Sequence, residues 1–355
     1  MTNWLSSMQQ TFEYYIVDPG TWQNVRRVDT VKSSTINRDS SAETLGSASL
    51  DIGESLGECY IRIYMITIQN GVTERHPLGT FLIQTPSYNF DGKTQSVKVD
   101  AYTPLLELKE NPPALGYSII KNENIMEYAY KLVRENARAP VSNVENDKTL
   151  YNNFVANTDD TWLTFINDLL ANANYYLDLD EMGRILFAPK QNIESMQPVW
   201  TFNDSNSSIL YPDVGIDRDL YGIPNVVEVI YSNGSRYFST RVENNDDNSP
   251  ISIKNRGREI IHRVTNPDLP GNPSNVQLEK YAKDLLKELS SLEYTISYKH
   301  GYCPVRLGDC VRLNYDRAGL RNVKARVISQ NIECVPGCSV TEKAVFTNKL
   351  WEGWY

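Results

Sequence analysis

The spacing of apolar residues changes period twice along this chain, and that change restricts its fold more than any single motif. Up to Tyr102 apolar and polar residues alternate. The segments TFEYYIVD, RVDTVKSSTINRD, SASLDIG, CYIRIYMITIQ, GTFLIQTPSYNF and QSVKVDAY are rich in β-branched and aromatic residues, which suit a pleated, half-buried surface. Asp18-Pro19-Gly20, Asn70-Gly71 and Asp91-Gly92 punctuate them, because glycine and asparagine accept the left-handed backbone of tight turns. In CYIRIYMITI one face carries Ile61, Ile63 and Met65, and the other Tyr60, Arg62 and Tyr64. One side of this sheet therefore meets a core, and the other meets solvent or a neighbour. Strands so closely spaced predict a sandwich or barrel.

Beyond Tyr102 the period becomes helical. In NENIMEYAYKLVRENAR the residues Ile125, Tyr128, Ala129, Leu132 and Val133 form a stripe, with Asn122 or Asn124 as N-cap and Pro140 past the end. DDTWLTFINDLLANAN repeats it through Trp162, Phe165, Ile166, Leu169 and Leu170, with Asp159 and Asp160 at the positive end of the helix. YYLDLDEMGRILFAP reads as a hairpin around Glu181-Met182-Gly183.

Strands return from DVGIDRDLYGIPNVVEVIY, densest at Val226, Val227, Val229 and Tyr231. RVENNDDNSPISIKNRGREIIH and TNPDLPGNPSN read as loops. Ser274 and Gln277 predict a capping box for a helix striped by Val276, Tyr281, Ala282, Leu285, Leu286 and Leu289. YTISYKH, DCVRLNY, VKARVISQNIEC and SVTEKAVFTNKLW close the chain as strands.

At 355 residues the chain exceeds a single core, since domains run to about 100–150 residues. It is read as α+β, mainly β. Residues 1–105 form a β unit and 106–205 an α/β unit. Residues 206–240 with 293–355 form a second β unit, interrupted by a loop and helix insertion over 241–292. The two end units are alike in kind, as two small barrels would be.

The net charge of −9 argues against a general nucleic-acid binder, which needs cations to displace counterions from phosphates. The charge is uneven: Lys299–Lys349 holds nine Lys/Arg against four Asp/Glu, so a basic end is set against an acidic remainder, as in a subunit that docks electrostatically. No apolar run reaches the ~20 residues that span a bilayer, and the first residues lack the pattern of a signal peptide. The expectation is synthesis in the cytosol without secretory export, where thiols stay reduced.

No catalytic signature is present: there is no G-x-S-x-G, H-E-x-x-H, P-loop or dinucleotide fingerprint. His76, His262 and His300 lack helical partners and read as surface or turn residues. Asp178, Asp180 and Glu181 offer the carboxylates a glycosidase needs, but alternating Asp before a turn reads as a solvated strand face. ENNDDN, residues 243–248, clusters oxygens without the spacing of a calcium loop, and reads as a flexible acidic loop. The 22 tyrosines lie mostly among acidic and polar neighbours, which fits cores and interfaces better than base stacking.

Four of five cysteines, Cys303, Cys310, Cys334 and Cys338, follow C-x₆-C-x₂₃-C-x₃-C. Two close pairs of thiolates are the pattern that holds zinc or an iron–sulfur cluster, yet neither pair has the common C-x₂-C spacing. Cys310 falls within a strand pattern, and Cys334 and Cys338 flank a Pro336-Gly337 turn. Buried thiols, a disulfide across that turn and a metal site all remain open.

GIPNVVEVIY, NNDDNSPISIKNRGREII with its Ser-Pro-Ile-Ser core, and the closing LGDCVRLNY, KARVISQNIEC and GCSVTEKAVFTNKLW come in an order that resembles the tail hub proteins of bacteriophages. These are the relatives of the T-even baseplate hub and the late control D proteins, and the form here is most similar to hubs of phages with Gram-positive hosts. The resemblance implies that the two end units are tail-tube-like β-barrels flanking the α/β domain. It implies a homotrimer forming a pseudo-sixfold ring that joins a sixfold tail tube to a threefold tip or spike and lets DNA pass at ejection.

The partners so implied are a distal tail or tail tube protein, a spike or tip protein, the tape measure protein, other baseplate proteins and, transiently, phage DNA, without membrane insertion. The expected location is the virion, after assembly in the host cytoplasm. An acidic excess suits a channel through which DNA slides without sticking, and the basic strands around Arg312, Lys324 and Arg326 are expected to meet an acidic neighbour. Many relatives carry a peptidoglycan-degrading or peptidoglycan-binding module after the hub, whereas this sequence ends at LWEGWY. The expectation is a non-enzyme with no catalytic or cofactor-binding residue, any wall hydrolase being a separate protein. The alternatives are a tail-associated peptidoglycan hydrolase or peptidase, and a metal-binding module built on the four cysteines.

Overall fold

The computed structural model describes residues 2–90, 95–218, 220–232, 237–267 and 273–350. The chain forms two compact units, Met1–Val214 with Tyr298–Ala344, and Gly215–Ser297 with Val345–Tyr355.

The first unit begins with seven strands: β1 (Gln9–Val17), β2 (Asn24–Arg27), β3 (Val31–Asp39), β4 (Gly46–Ile52), β5 (Tyr60–Gln69), β6 (Val72–Phe90) and β7 (Gln95–Tyr102). They pair antiparallel in the order β3-β4-β7-β6-β5-β1-β2. The turns obey the sequence. Asn70 and Gly71 carry positive φ (52° and 79°) between β5 and β6, and Asp18 Oδ1 accepts the Gly20 and Thr21 amides at 3.1 and 2.7 Å. The turn expected at Asp91-Gly92 lies outside the described residues.

Along β5 the residues from Tyr60 to Thr67 are all buried. Ile61, Ile63 and Met65 join a core with Ile36, Leu50, Ile52, Leu78 and Phe81, while Tyr60, with Leu82, belongs to a second core. The face that carries Tyr60, Arg62 and Tyr64 thus meets a protein neighbour.

That neighbour includes α1 (Leu106–Glu110), β8 (Ser118–Ile119), α2 (Ile125–Asn136), β9 (Phe154–Val155), α3 (Trp162–Ala171), β10 (Tyr175–Leu179) and β11 (Ile185–Pro189). Asn124 caps α2 through Met126 and Glu127 N–H, and Thr161 forms a capping box with Thr164 on α3. The helical stripes follow the expected spacing except at one position in each. Met126 and Leu163 are buried where Tyr128 and Trp162 are only partly so, because each aromatic ring starts in the core and ends at its rim.

Next come β12 (Trp200–Asn203) and β13 (Leu210–Arg218). In the second unit, β14 (Val226–Ser232) lies between β15 (Tyr237–Glu243), antiparallel, and β16 (Ile261–Thr265), parallel. The short α4 (Ile253–Arg256) and the longer α5 (Asn275–Leu289) complete its helices. The polar stretch after residue 241, read as loop from its composition, therefore contains a strand and a helical turn; exposed edge strands are polar, which hides them from a hydrophobicity search. Residues 268–272 of the second expected loop lie outside the described residues.

Ser274 and Gln277 form the expected capping box on α5. Leu278, Ala282 and Leu286 pack on Val227, Val229 and Val242. Val276 stays 76% exposed, since the first turn precedes the contact with the sheet.

The chain returns through β17 (Ser291–Gly301), β18 (Cys310–Tyr315), a 3₁₀ turn at Asp316–Ala318, β19 (Leu320–Glu333) and β20 (Ser339–Lys349). β18 pairs with β19 and, in parallel, with β12. β19 then pairs antiparallel with β3, Ser329 opposite Asp39 through Glu333 opposite Thr35. The β regions expected as separate barrels thus share one sheet, whose path β13-β17-β20-β19-β3 and onward to β2 does not close within the described residues. The β19–β3 ladder, over Thr35–Asp39 and Ser329–Glu333, joins the two regions.

Candidate functional site

Three groups of side chains in the first unit carry chemistry. The first surrounds the β10–β11 turn. Asp180 Oδ1 accepts the Met182 and Arg184 amides at 2.9 and 2.8 Å, which folds the turn. The Met182 carbonyl then accepts Trp22 Nε1 at 2.8 Å, Thr80 Oγ1 at 2.9 Å and Arg62 Nη2 at 3.1 Å. Arg62, 1% exposed, also donates to Thr80 Oγ1, Asn24 Oδ1 and the Trp22 carbonyl. A buried guanidinium is tolerable because its donors are satisfied.

Glu181 holds Arg306 at 2.8 Å, and Arg306 donates to the Leu179 carbonyl. Asp178 and Asp309 line a cleft of about 530 Å³ with Tyr176, Arg306 and Arg326. Burial pushes both carboxyls above the usual Asp range, and Arg306 opposes the shift. This strand face, expected to be solvated, is half-buried because Arg306 draws the turn inward. Asp180 and Glu181 are spent on folding and ion pairing, so they offer no free catalytic pair.

The second group was missed from the sequence. His300, read as a surface or turn residue, is fully buried beside Glu342, also fully buried. Its Nδ1 donates to the Gly301 carbonyl at 2.7 Å and its Nε2 faces Glu342 Oε2 at 3.4 Å. Tyr298 donates to Glu342 Oε1, and Gln330 Nε2 to Oε2 at 2.7 Å. Arg38 extends the network, donating to Gln330 Oε1 at 3.1 Å and to the Leu78 carbonyl at 2.7 Å. Burial and the adjacent carboxylate hold the Tyr298 phenol protonated, well above its ordinary range. The available signal was strand parity, which sets Ile296, Tyr298 and His300 on one face of β17.

The other histidines differ: His76 is half-buried against Thr2 and Thr67, and His262 is exposed on β16. In ENNDDN, Asp247 pairs with Lys254, Glu243 with Arg241, and Asp246 accepts Asn248 N–H, so these carboxylates have internal partners. Of the basic strands, Arg312 lies directly opposite Lys324, whose ammonium donates to the Glu194 and Met196 carbonyls. Lys324 is thereby engaged within its own chain.

The third group is the cysteines. Cys303, Cys310, Cys334 and Cys338 are all free and buried. Cys303 Sγ lies 3.9 Å from His300 Nδ1, Cys310 faces the Val311 carbonyl, and Cys334 and Cys338 sit in the first core. Burial pushes all four thiols up, Cys334 to about 11, which disfavours the thiolates that bind metal. Among the described residues no group of three or more His, Cys, Asp or Glu is placed to hold a metal ion. The donors present do not fit a shared zinc or cluster site.

No family model and no curated protein matches this sequence. Solved structures do. A tail protein from Neisseria meningitidis MC58 aligns with a TM-score of 0.63 at 14% identity, over 96% of this chain and 98% of the other. The 43 kDa tail protein of prophage MuSo2 from Shewanella oneidensis aligns with a TM-score of 0.62 at 11% identity, over 94% and 98%. The E. coli c3393 protein, a type VI secretion component described as structurally similar to T4 tail proteins gp27 and gp5, aligns with a TM-score of 0.50 at 9% identity, over 92% and 75%. Matched almost end to end at identities this low, the chain has the fold of bacteriophage tail proteins.

Proposed function

We propose that this protein is a structural hub of a phage tail tip or baseplate. The supporting observation is the near-complete overlap, in both directions, with tail proteins that share little of its sequence. Its two β regions act as tube-like domains, so that three copies make a pseudo-sixfold ring between a sixfold tube and a threefold tip or spike. DNA passes through the ring at ejection. The partners are the distal tail or tube protein, the spike or tip, the tape measure and other baseplate proteins, and the location is the virion.

The internal chemistry supports a non-enzymatic part. The Arg62, Glu181 and Glu342 side chains are satisfied by their own chain, as expected where polar groups fix a shape. Among the described residues no helix is long and apolar enough to cross a membrane.

Native mass spectrometry of the purified protein, alone and with a tube subunit, tests the proposal. A trimer that adds to tube rings and leaves peptidoglycan intact is the expected result. A stable monomer that lyses cell walls overturns it in favour of the hydrolase.

A further inference from the structure

We propose that Cys334 and Cys338 form a disulfide site, free thiols here but placed to close across the mouth of the β19–β20 hairpin in an oxidising environment. The two strands are hydrogen-bonded neighbours joined only by residues 334–338. Ser339 Oγ donates to Glu333 Oε2 at 2.6 Å, so the strand ends face each other. Cys334 and Cys338 are the next residues inward, on either side of the three-residue loop 335–337; Gly337 in that loop and Cys338 after it take positive φ (98° and 29°).

Their amides are not exchanged across the hairpin: Cys334 N–H donates to Ser34 O at 3.0 Å and Cys338 N–H to Val335 O at 2.8 Å. The Cys338 to Val335 bond folds the chain back at this turn, and the disulfide requires the Cα atoms of Cys334 and Cys338 to lie in the roughly 4.4–6.8 Å range of such bonds. Both side chains enter the same core, at 4% and 0% exposure, so both thiols lie on one side of the hairpin.

With oxidised glutathione as oxidant the step balances. One cysteine gives up its proton and attacks a glutathione sulfur, releasing one glutathione thiolate. The second cysteine gives up its proton and attacks the mixed disulfide, releasing the other. Two protons leave on two reduced glutathiones, and one S–S bond replaces another. Because both thiols are buried, the exchange passes through transient opening of the hairpin and is slow.

The Gly337 amide donates to Gln10 Oε1 at 2.9 Å, so the bond would lock the hairpin tip at the place where it meets β1. The chain itself makes the test selective. Trypsin cuts after Arg326 and Lys343, leaving both cysteines in one peptide, 327–343, apart from Cys303 and Cys310.

The intact protein is held in oxidised glutathione, then denatured, alkylated without reductant and digested. The expected 327–343 peptide is two hydrogens lighter and unalkylated, and the oxidised protein melts a few degrees higher, a gain absent in Cys334→Ser. A peptide that still takes two alkyl groups after prolonged oxidation, that carries glutathione, or that is linked to the Cys303 peptide overturns the proposal. The mapping on the wild-type chain decides even if the serine variant fails to fold, and it does not depend on the hub reading.

Discussion

Gly183 turns the β10–β11 hairpin at φ +75°, and a Cβ added there would lie 2.7 Å from Thr80 Cβ. Gly183→Ala is therefore expected to destabilise the first unit by about 1–3 kcal/mol, read from the urea midpoint. The buried network is more demanding. Glu342→Ala leaves Tyr298, Gln330 and His300 facing an empty site, and a loss of about 3 kcal/mol or more is expected in the same measurement. Asp178 behaves in the opposite sense. Burial raises its carboxyl in the native state, so ionisation at neutral pH costs stability that is recovered as pH falls through the raised native range toward the unfolded value of about 4. Asp178→Asn should match or exceed wild type at neutral pH and lose that advantage on acidification. A variant whose stability tracks wild type at every pH would mean that burial does not strain this carboxyl.

At the scale of elements, helices and hairpins were legible because their signals are local. Asn124 and Ser274 stand one and two residues before their apolar stripes, and Asn70-Gly71 fixes its turn alone. Thr161→Ala should cost α3 about 1 kcal/mol. What stayed hidden depended on partners distant in sequence. Arg62 reads as facing solvent or a neighbour until the hairpin carbonyl at Met182, 120 residues away, covers it. His300 reads as a turn histidine until Glu342 lies beside it. Four free cysteines mimic a ligand set because spacing along a chain does not encode position in space. In the second unit, Glu228 lies directly opposite Arg241 on β15 and Arg263 on β16, with contacts of 2.8 and 2.6 Å. These exposed pairs are screened by salt. Glu228→Gln should lower the melting temperature at low ionic strength, and the difference should shrink at high salt.

At the scale of the molecule, the joint between β19 and β3 governs how the chain behaves as a whole. The first unit takes its strands from both ends of the sequence, so a chain cut after residue 297 lacks the end of β17 and all of β18, β19 and β20. Such a fragment is expected to show no cooperative unfolding transition by circular dichroism, and a fragment that melts as sharply as the full chain would contradict the joint's importance. The joint also sets a clock. Asp39 and Ser329, which face each other across it, leave the ribosome about 290 residues apart, and at roughly 5–20 residues per second that interval is some fifteen seconds to a minute. For that time β3 is an unpaired edge on a nascent chain, open to any other strand that reaches it. A subunit assembled this way gains its finished sheet only once Ser329 has emerged, which makes expression temperature and chaperone supply the first variables to adjust when it is produced.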